Sequence, residues 1–309
     1  MTEAALAGRL GGLLFFPVTP YGPDGSLNLD AYRAHVRAGI DAGAGAVFAA
    51  CGTGEFHALT PDEFGAVVAT AAEVADGAVP VVAGTGYGTA MAVDLARRAE
   101  AAGADGLLAL PPYLVVAPQE GLVRHYTEIA AATSLDVIVY QRDNVTFTPE
   151  TVVRLARTPG IAGLKDGLGD LELLQRAISA VRAELPGSTF RWFNGLPTAE
   201  LTGPAYRGLG VHLYSSAVFC FAPEIALAFH AALTAGDPET TATLLDGFYR
   251  PLVELRNQGR GYAVSLVKAG VRLRGLDVGP VRPPFTEPAP AHLDRLAELL
   301  DHGLGLVKR

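Results

Sequence analysis

The sequence predicts a closed (β/α)8 barrel, and three observations carry that prediction. Short apolar runs of four to six residues alternate with amphipathic stretches, eight times in order. The runs are apolar throughout rather than at every second position, as expected of parallel strands buried on both faces. Eight such units fill about 235 residues, close to the usual size of such a barrel. An open doubly wound sheet shares this alternation, but no break in composition divides the chain into two halves.

Taken in order, Met1–Arg9 reads as a frayed end or a short helix. Leu13–Val18 (LLFFPV) is a β-like run stopped by Pro20. A helix follows over 30–42, with Leu29, Tyr32, Val36 and Ile40 at three-to-four spacing. Ala46–Ala50 is the second strand and runs into CGTGEF. Thr60 is placed to cap the next helix, with Pro61 at its first position and Glu63 three residues after the cap; that helix extends to Ala75. Strands over 80–83, 105–110, 136–140, 161–165, 190–193 and 211–214 then alternate with helices over 89–102, 118–132, 149–157, 170–184, 197–206 and 223–235. Gly103 ends one of these helices and Thr148 caps another. Residues 1–236 thus form the catalytic barrel. Residues 237–309 hold no further clear strand. Helices over 238–257, 262–274 and 291–302, with a Pro-rich loop over 280–290, predict a three-helix extension packed on it.

Composition narrows the function. Half of the 309 residues are apolar and 18% are charged, which suits a packed globular chain. A formal charge of −8 lacks the basic footprint that nucleic acid requires. Cys51 and Cys220 make neither a disulfide framework nor a zinc spacing. No apolar run is long enough to span a bilayer. Leu10–Val18 has neither the basic flank nor the cleavage site of a signal segment. The expectation is a cytoplasmic protein without a nucleic-acid or membrane partner.

The chemistry of such a barrel lies at the C-terminal ends of its strands. The sixth run ends in Lys165, followed by the turn Asp166-Gly167. The chain has only three lysines, Lys165, Lys268 and Lys308, against 21 arginines. Where arginine serves almost every cationic need, a lysine at a buried strand end invites a chemical reason. A desolvated lysine can lose its proton and attack a carbonyl, whereas arginine cannot. A buried ion pair at a loop edge explains such a lysine equally well. The fifth run ends in Tyr140, a phenol that would point where Lys165 points if adjacent strands carry them. The pair fits a carbonyl–amine reaction with a proton shuttle. The CGTGEF loop brings backbone N–H groups into a turn between two glycines and suits a carboxylate, although an ordinary βα turn reads the same way. GTGYG after the third run echoes a dinucleotide fingerprint but lacks its third glycine and later acid. The seven histidines have no metal-ligand spacing.

Several blocks in one order carry a resemblance: FFPVTPY, the GTGE loop, AGTG, LPPYL with QEGL, VYQRDN and GLKDG. They are similar to the dihydrodipicolinate synthase and N-acetylneuraminate lyase family, Schiff-base enzymes on a (β/α)8 barrel with a helical C-terminal extension. CGTGEF, FNGLPTAE, YSSAV and GYAVSLVKAG most resemble its decarboxylating dehydratases of keto-deoxy sugar diacids. The resemblance implies Lys165 as the Schiff-base lysine and Tyr140 as proton relay, with Gly52 and Thr53 holding the α-keto carboxylate. It implies no metal and no cofactor, a small keto-deoxy diacid as partner, and a homo-oligomer such as a tetramer. Asn194, Ser215 and Arg142 are further candidates for the hydroxyls and the distal carboxylate. Three positions depart from the synthase pattern. Gly52 replaces the first hydroxyl of the loop, Tyr113-Leu114 replaces a tyrosine pair, and Val145 stands where the synthases carry a carboxylate-binding arginine. These departures speak against aspartate-semialdehyde chemistry. An aldolase or synthase acting on another 2-keto acid is the alternative.

Overall fold

The computed structural model describes residues 6–308. The expected short helix or frayed end over Met1–Arg9 is met by a helix over Leu6–Arg9; residues 1–5 lie outside the described residues. Among the described residues, eight parallel strands close into a barrel in chain order. They are β1 (Leu14–Phe15), β2 (Ala46–Ala49), β3 (Val81–Thr85), β4 (Gly106–Ala109), β5 (Asp136–Gln141), β6 (Ile161–Asp166), β7 (Arg191–Asn194) and β8 (Leu213–Ser216). A helix follows each strand.

Local chemistry explains the differences from the expected boundaries. The first strand is laddered over two residues only, because Pro17 has no N–H to give a partner. The expected helix over 197–206 divides into a 3-10 turn at Ala199–Thr202 and a helix over Gly203–Gly208, with Pro204 in the first turn of the second piece. The expected helix over 238–257 is interrupted by a π turn at Leu245–Tyr249, just before Pro251, whose ring removes one helical donor. The last helix is longer than expected and covers Pro290–Val307. Thr60 makes the capping box with Glu63, and Thr148 caps its helix through the N–H of Thr151. Each such cap contributes about 1 kcal/mol.

Strand parity divides the apolar residues into two cores. Alternate residues such as Leu14, Phe16, Phe48, Ile138 and Phe193 fill the barrel interior, and Leu6 and Leu10 join them from the N-terminal end. The other set, including Phe15, Val47, Val139 and Leu164, packs against the helices. The C-terminal helices belong to this outer core through Phe248, Leu266 and Leu299. No described helix is long and apolar enough to cross a membrane.

Candidate active site

Register determines what meets at the barrel mouth. In parallel strands, laddered residues share a face. Tyr140, Lys165 and Phe193 are ladder partners across β5, β6 and β7, and Tyr140 and Phe193 belong to the interior core. Lys165 therefore points inward beside Tyr140. The next ring, Gln141, Asp166, Asn194 and Tyr214, points outward to the helices.

The Lys165 side chain is 6% exposed. Its Nζ lies 4.3 Å from the Tyr140 ring centroid and 4.7 Å from that of Phe16, which stacks on Phe48. Among the described residues, Nζ forms no ion pair, which removes the ion-pair explanation for a lysine at this strand end. The Tyr140 hydroxyl donates to the Gly195 carbonyl at 2.7 Å, fixing the phenol over the amine. Glycine is required on two sides. A Cβ on Gly195 would stand 2.7 Å from Lys165 Cγ, and one on Gly167 would stand 2.9 Å from Tyr140 Cε2.

The outward ring holds this geometry from behind. The buried Asp166 carboxylate accepts from Gln141 Nε2 at 2.8 Å, from Leu168 N at 3.1 Å and from the Tyr206 hydroxyl. Sequence reasoning passed over Asp166 and Gln141, although each directly follows an inward-facing residue it had selected. Asn194 is turned to the helix side. Its amide donates to the Ala199 carbonyl at 3.0 Å and to Thr202 Oγ1 at 2.8 Å, and its oxygen accepts from Leu196 N. Those bonds tie Asn194 to the loop that follows it, on the helix side of the strand. Ser215 is the ladder partner of the interior Leu14, so it faces inward, half-buried. Arg142 is half-buried at the rim. It pairs with Asp143 at 2.7 Å, and its guanidinium carbon lies 5.6 Å from the Tyr140 centroid.

The loop after β2 supplies N–H groups. It closes with Glu55 N donating to Gly52 O at 3.2 Å and Phe56 N to Cys51 O at 3.1 Å. Among the described residues, the N–H groups of Gly52, Thr53 and Gly54 donate to no protein acceptor. Successive unpartnered donors of this kind suit an anion where they converge. Thr19 steadies the loop by donating its hydroxyl to Gly54 O at 2.7 Å. Cys51 at the loop start is fully buried; burial pushes its thiol up to about 12, against the pull of Lys165, so it stays neutral. Gly84 of the GTGYG run has a packing role, since a Cβ there would stand 2.3 Å from the Ala50 carbonyl oxygen.

Tyr113 and Leu114 lie outside this constellation, 66% and 80% exposed, while Val145 is fully buried. A cleft of about 530 Å³ opens at the opposite end of the barrel beside Gly11, Arg191 and His212. Among the described residues, no group of three or more His, Cys, Asp or Glu side chains is arranged to hold a metal ion.

Residues 9–303 match the model of the dihydrodipicolinate synthetase family. A probable 5-dehydro-4-deoxyglucarate dehydratase 1 of Streptomyces avermitilis is 70% identical over all of this chain and 99% of its own length. A protein of the same name from Streptomyces coelicolor is 70% identical over 100% of this chain and 98% of its own. Among solved structures, a dihydrodipicolinate synthase from Bacillus clausii superposes with a TM-score of 0.87 at 26% identity, covering 96% of this chain and 98% of its own.

Proposed function

Because the chain belongs to the dihydrodipicolinate synthetase family, we propose that it converts 5-dehydro-4-deoxy-D-glucarate to 2,5-dioxopentanoate, carbon dioxide and water. It is a lyase that works through a Schiff base on Lys165. One observation carries the site assignment: a buried lysine amine lies between two aromatic rings, without a carboxylate partner among the described residues, next to a fixed phenol.

The substrate presents a ketone next to one carboxylate. The N–H groups of Gly52 and Thr53 hold that carboxylate, and Lys165 Nζ adds to the ketone carbon. Loss of water gives an iminium, with Tyr140 handling protons at the oxygen. The iminium acidifies the adjacent CH2, and loss of a proton there forms an enamine. The enamine expels the β-hydroxyl as water, leaving a conjugated iminium. The C–C bond to the distal carboxylate then breaks. Its electron pair runs through the conjugated chain to nitrogen, and carbon dioxide leaves. Proton return and hydrolysis free the lysine and release the semialdehyde. The imine nitrogen serves as electron sink for both eliminations, so the sequence closes without a cofactor. Arg142 at the rim and inward-facing Ser215 serve the distal carboxylate and the hydroxyls.

The finer reading also includes a cytoplasmic location and assembly into a homo-oligomer, for which a tetramer is the first candidate. The exposed apolar run Tyr113–Val116 supports self-association, because a run of this kind marks an interaction surface. The test is to incubate the protein with 5-dehydro-4-deoxy-D-glucarate and measure carbon dioxide and semialdehyde. Equal amounts of both are expected. Pyruvate and an aldehyde would instead indicate an aldolase.

A further inference from the structure

The cradle for the α-keto carboxylate is gripped from outside the barrel. Glu55 ends the Cys51–Glu55 loop at φ 57°, a left-handed conformation uncommon for a residue with a Cβ. Such a conformation persists where the surroundings over-determine it. Here the surroundings come from the C-terminal helices. Lys268 Nζ, on the helix Tyr262–Leu273, donates to Glu55 Oε1 at 2.8 Å, and Arg282 N donates to Glu55 Oε2 at 2.8 Å. Both side chains of the ion pair are 0% exposed. Lys268 also donates to the Pro280 carbonyl at 2.7 Å and stands 4.2 Å from the Tyr21 ring centroid. The Arg282 guanidinium takes the far end of the same segment, reaching the Ala58 carbonyl at 2.8 Å and Glu63 at 2.5 and 2.9 Å.

A buried ion pair is a poor means of stabilising a fold, since apolar replacements of similar size are often neutral or better. It is a good means of fixing one backbone geometry, because both partners lose heavily when the pair opens. We infer that Lys268, through its buried pair with Glu55, is a positioning residue that sets the Gly52–Thr53 cradle and with it the affinity for the substrate's α-keto carboxylate. This inference rests on the Schiff-base reading above. It gives the helical extension a part in substrate binding although it supplies no reacting group.

The test separates positioning from stability. Glu55→Gln combined with Lys268→Met removes both charges, so neither is left buried alone. The double variant is expected to keep the wild-type circular dichroism spectrum and a cooperative melt. Its KM for 5-dehydro-4-deoxy-D-glucarate is expected to rise at least tenfold with kcat within threefold. Borohydride at saturating substrate is expected to trap it as fully as the wild type. Lys268→Arg, which keeps the charge, should recover part of the KM. A folded double variant with KM within twofold of wild type overturns the inference. So does one that loses kcat at unchanged KM, and so does failure of the double variant to fold, which would assign the pair to the whole structure. Failure of the wild type itself to be trapped would strike the Schiff-base reading instead.

Discussion

Gly195→Ala tests the packing of the reacting pair. The added methyl would lie 2.7 Å from Lys165 Cγ, 2.8 Å from the Asp166 carbonyl oxygen and 2.9 Å from Tyr140 Cε2. The Asp166 oxygen cannot withdraw without stretching the bond it accepts from Gly195 N at 2.6 Å. Relief therefore falls on Lys165 and Tyr140, and moving them also strains the bond from the Tyr140 hydroxyl to Gly195 O. Overpacking of this kind costs roughly 1–3 kcal/mol of stability. Displacing a reacting atom by about 1 Å costs on the order of 100-fold in rate. The expected result is a folded protein with a modestly lowered Tm and kcat/KM down by about two orders of magnitude. The assay is semialdehyde formation, with a thermal melt on the same samples. Gly65→Ala is the control. It adds the same methyl to open space on the Pro61–Ala75 helix, so activity should hold while stability rises by roughly 0.5–1 kcal/mol. A Gly195→Ala enzyme within threefold of wild-type kcat/KM would refute the reasoning.

Tyr140→Phe keeps the ring against Lys165 and removes the proton donor, so kcat should fall by roughly 10²–10⁴. Lys165 should still be trapped in this variant, only more slowly; a kcat within tenfold of wild type argues against the assignment. Glu200 gives a pH test. Burial pushes its carboxyl from 4.5 up to about 7, against the hydrogen bond from Ser216. With the folded value above the unfolded one, its stabilisation is complete below about 4.5 and is lost as pH rises to about 7, on the order of 3 kcal/mol in all. Glu200→Gln should flatten the Tm profile across that window, and parallel profiles would contradict the assignment. Glu63 runs the other way. Its bonds from Arg282, helped by the Thr60 cap, hold it down at about 2, so its stabilisation is present above about 4.5 and is lost as pH falls towards 2. Glu63→Gln should lose stability at neutral pH and show less acid sensitivity, as read by melts from pH 2 to 7.

Much of the fold was legible because its signals are local. The apolar runs, the Thr60 capping box and the Thr148 cap lie within a few residues of the elements they define. The pairing of Tyr140 with Lys165 was legible as well, since adjacent strand ends of a parallel barrel share a level and a face. Asn194 shows what position alone misses. It stands at a strand end, but its neighbour Phe193 fills the interior, so parity turns Asn194 outward. Counting parity from an apolar neighbour would have found this. The Glu55–Lys268 pair spans 213 positions, and no local pattern announces it. A trace was nonetheless present. The scarcity of lysine that drew attention to Lys165 applied equally to Lys268, and both prove to be buried. The π turn before Pro251 was hidden because helical periodicity continues across it.

The most direct test is to add sodium borohydride to the enzyme turning over 5-dehydro-4-deoxy-D-glucarate, then map the modified residue by peptide mass spectrometry. The expected result is one reduced adduct per chain, on Lys165, with loss of activity in proportion, and no adduct in Lys165→Met. An enzyme that completes turnover under borohydride without a modified lysine, or with the adduct on Lys268, would contradict the Schiff base at Lys165.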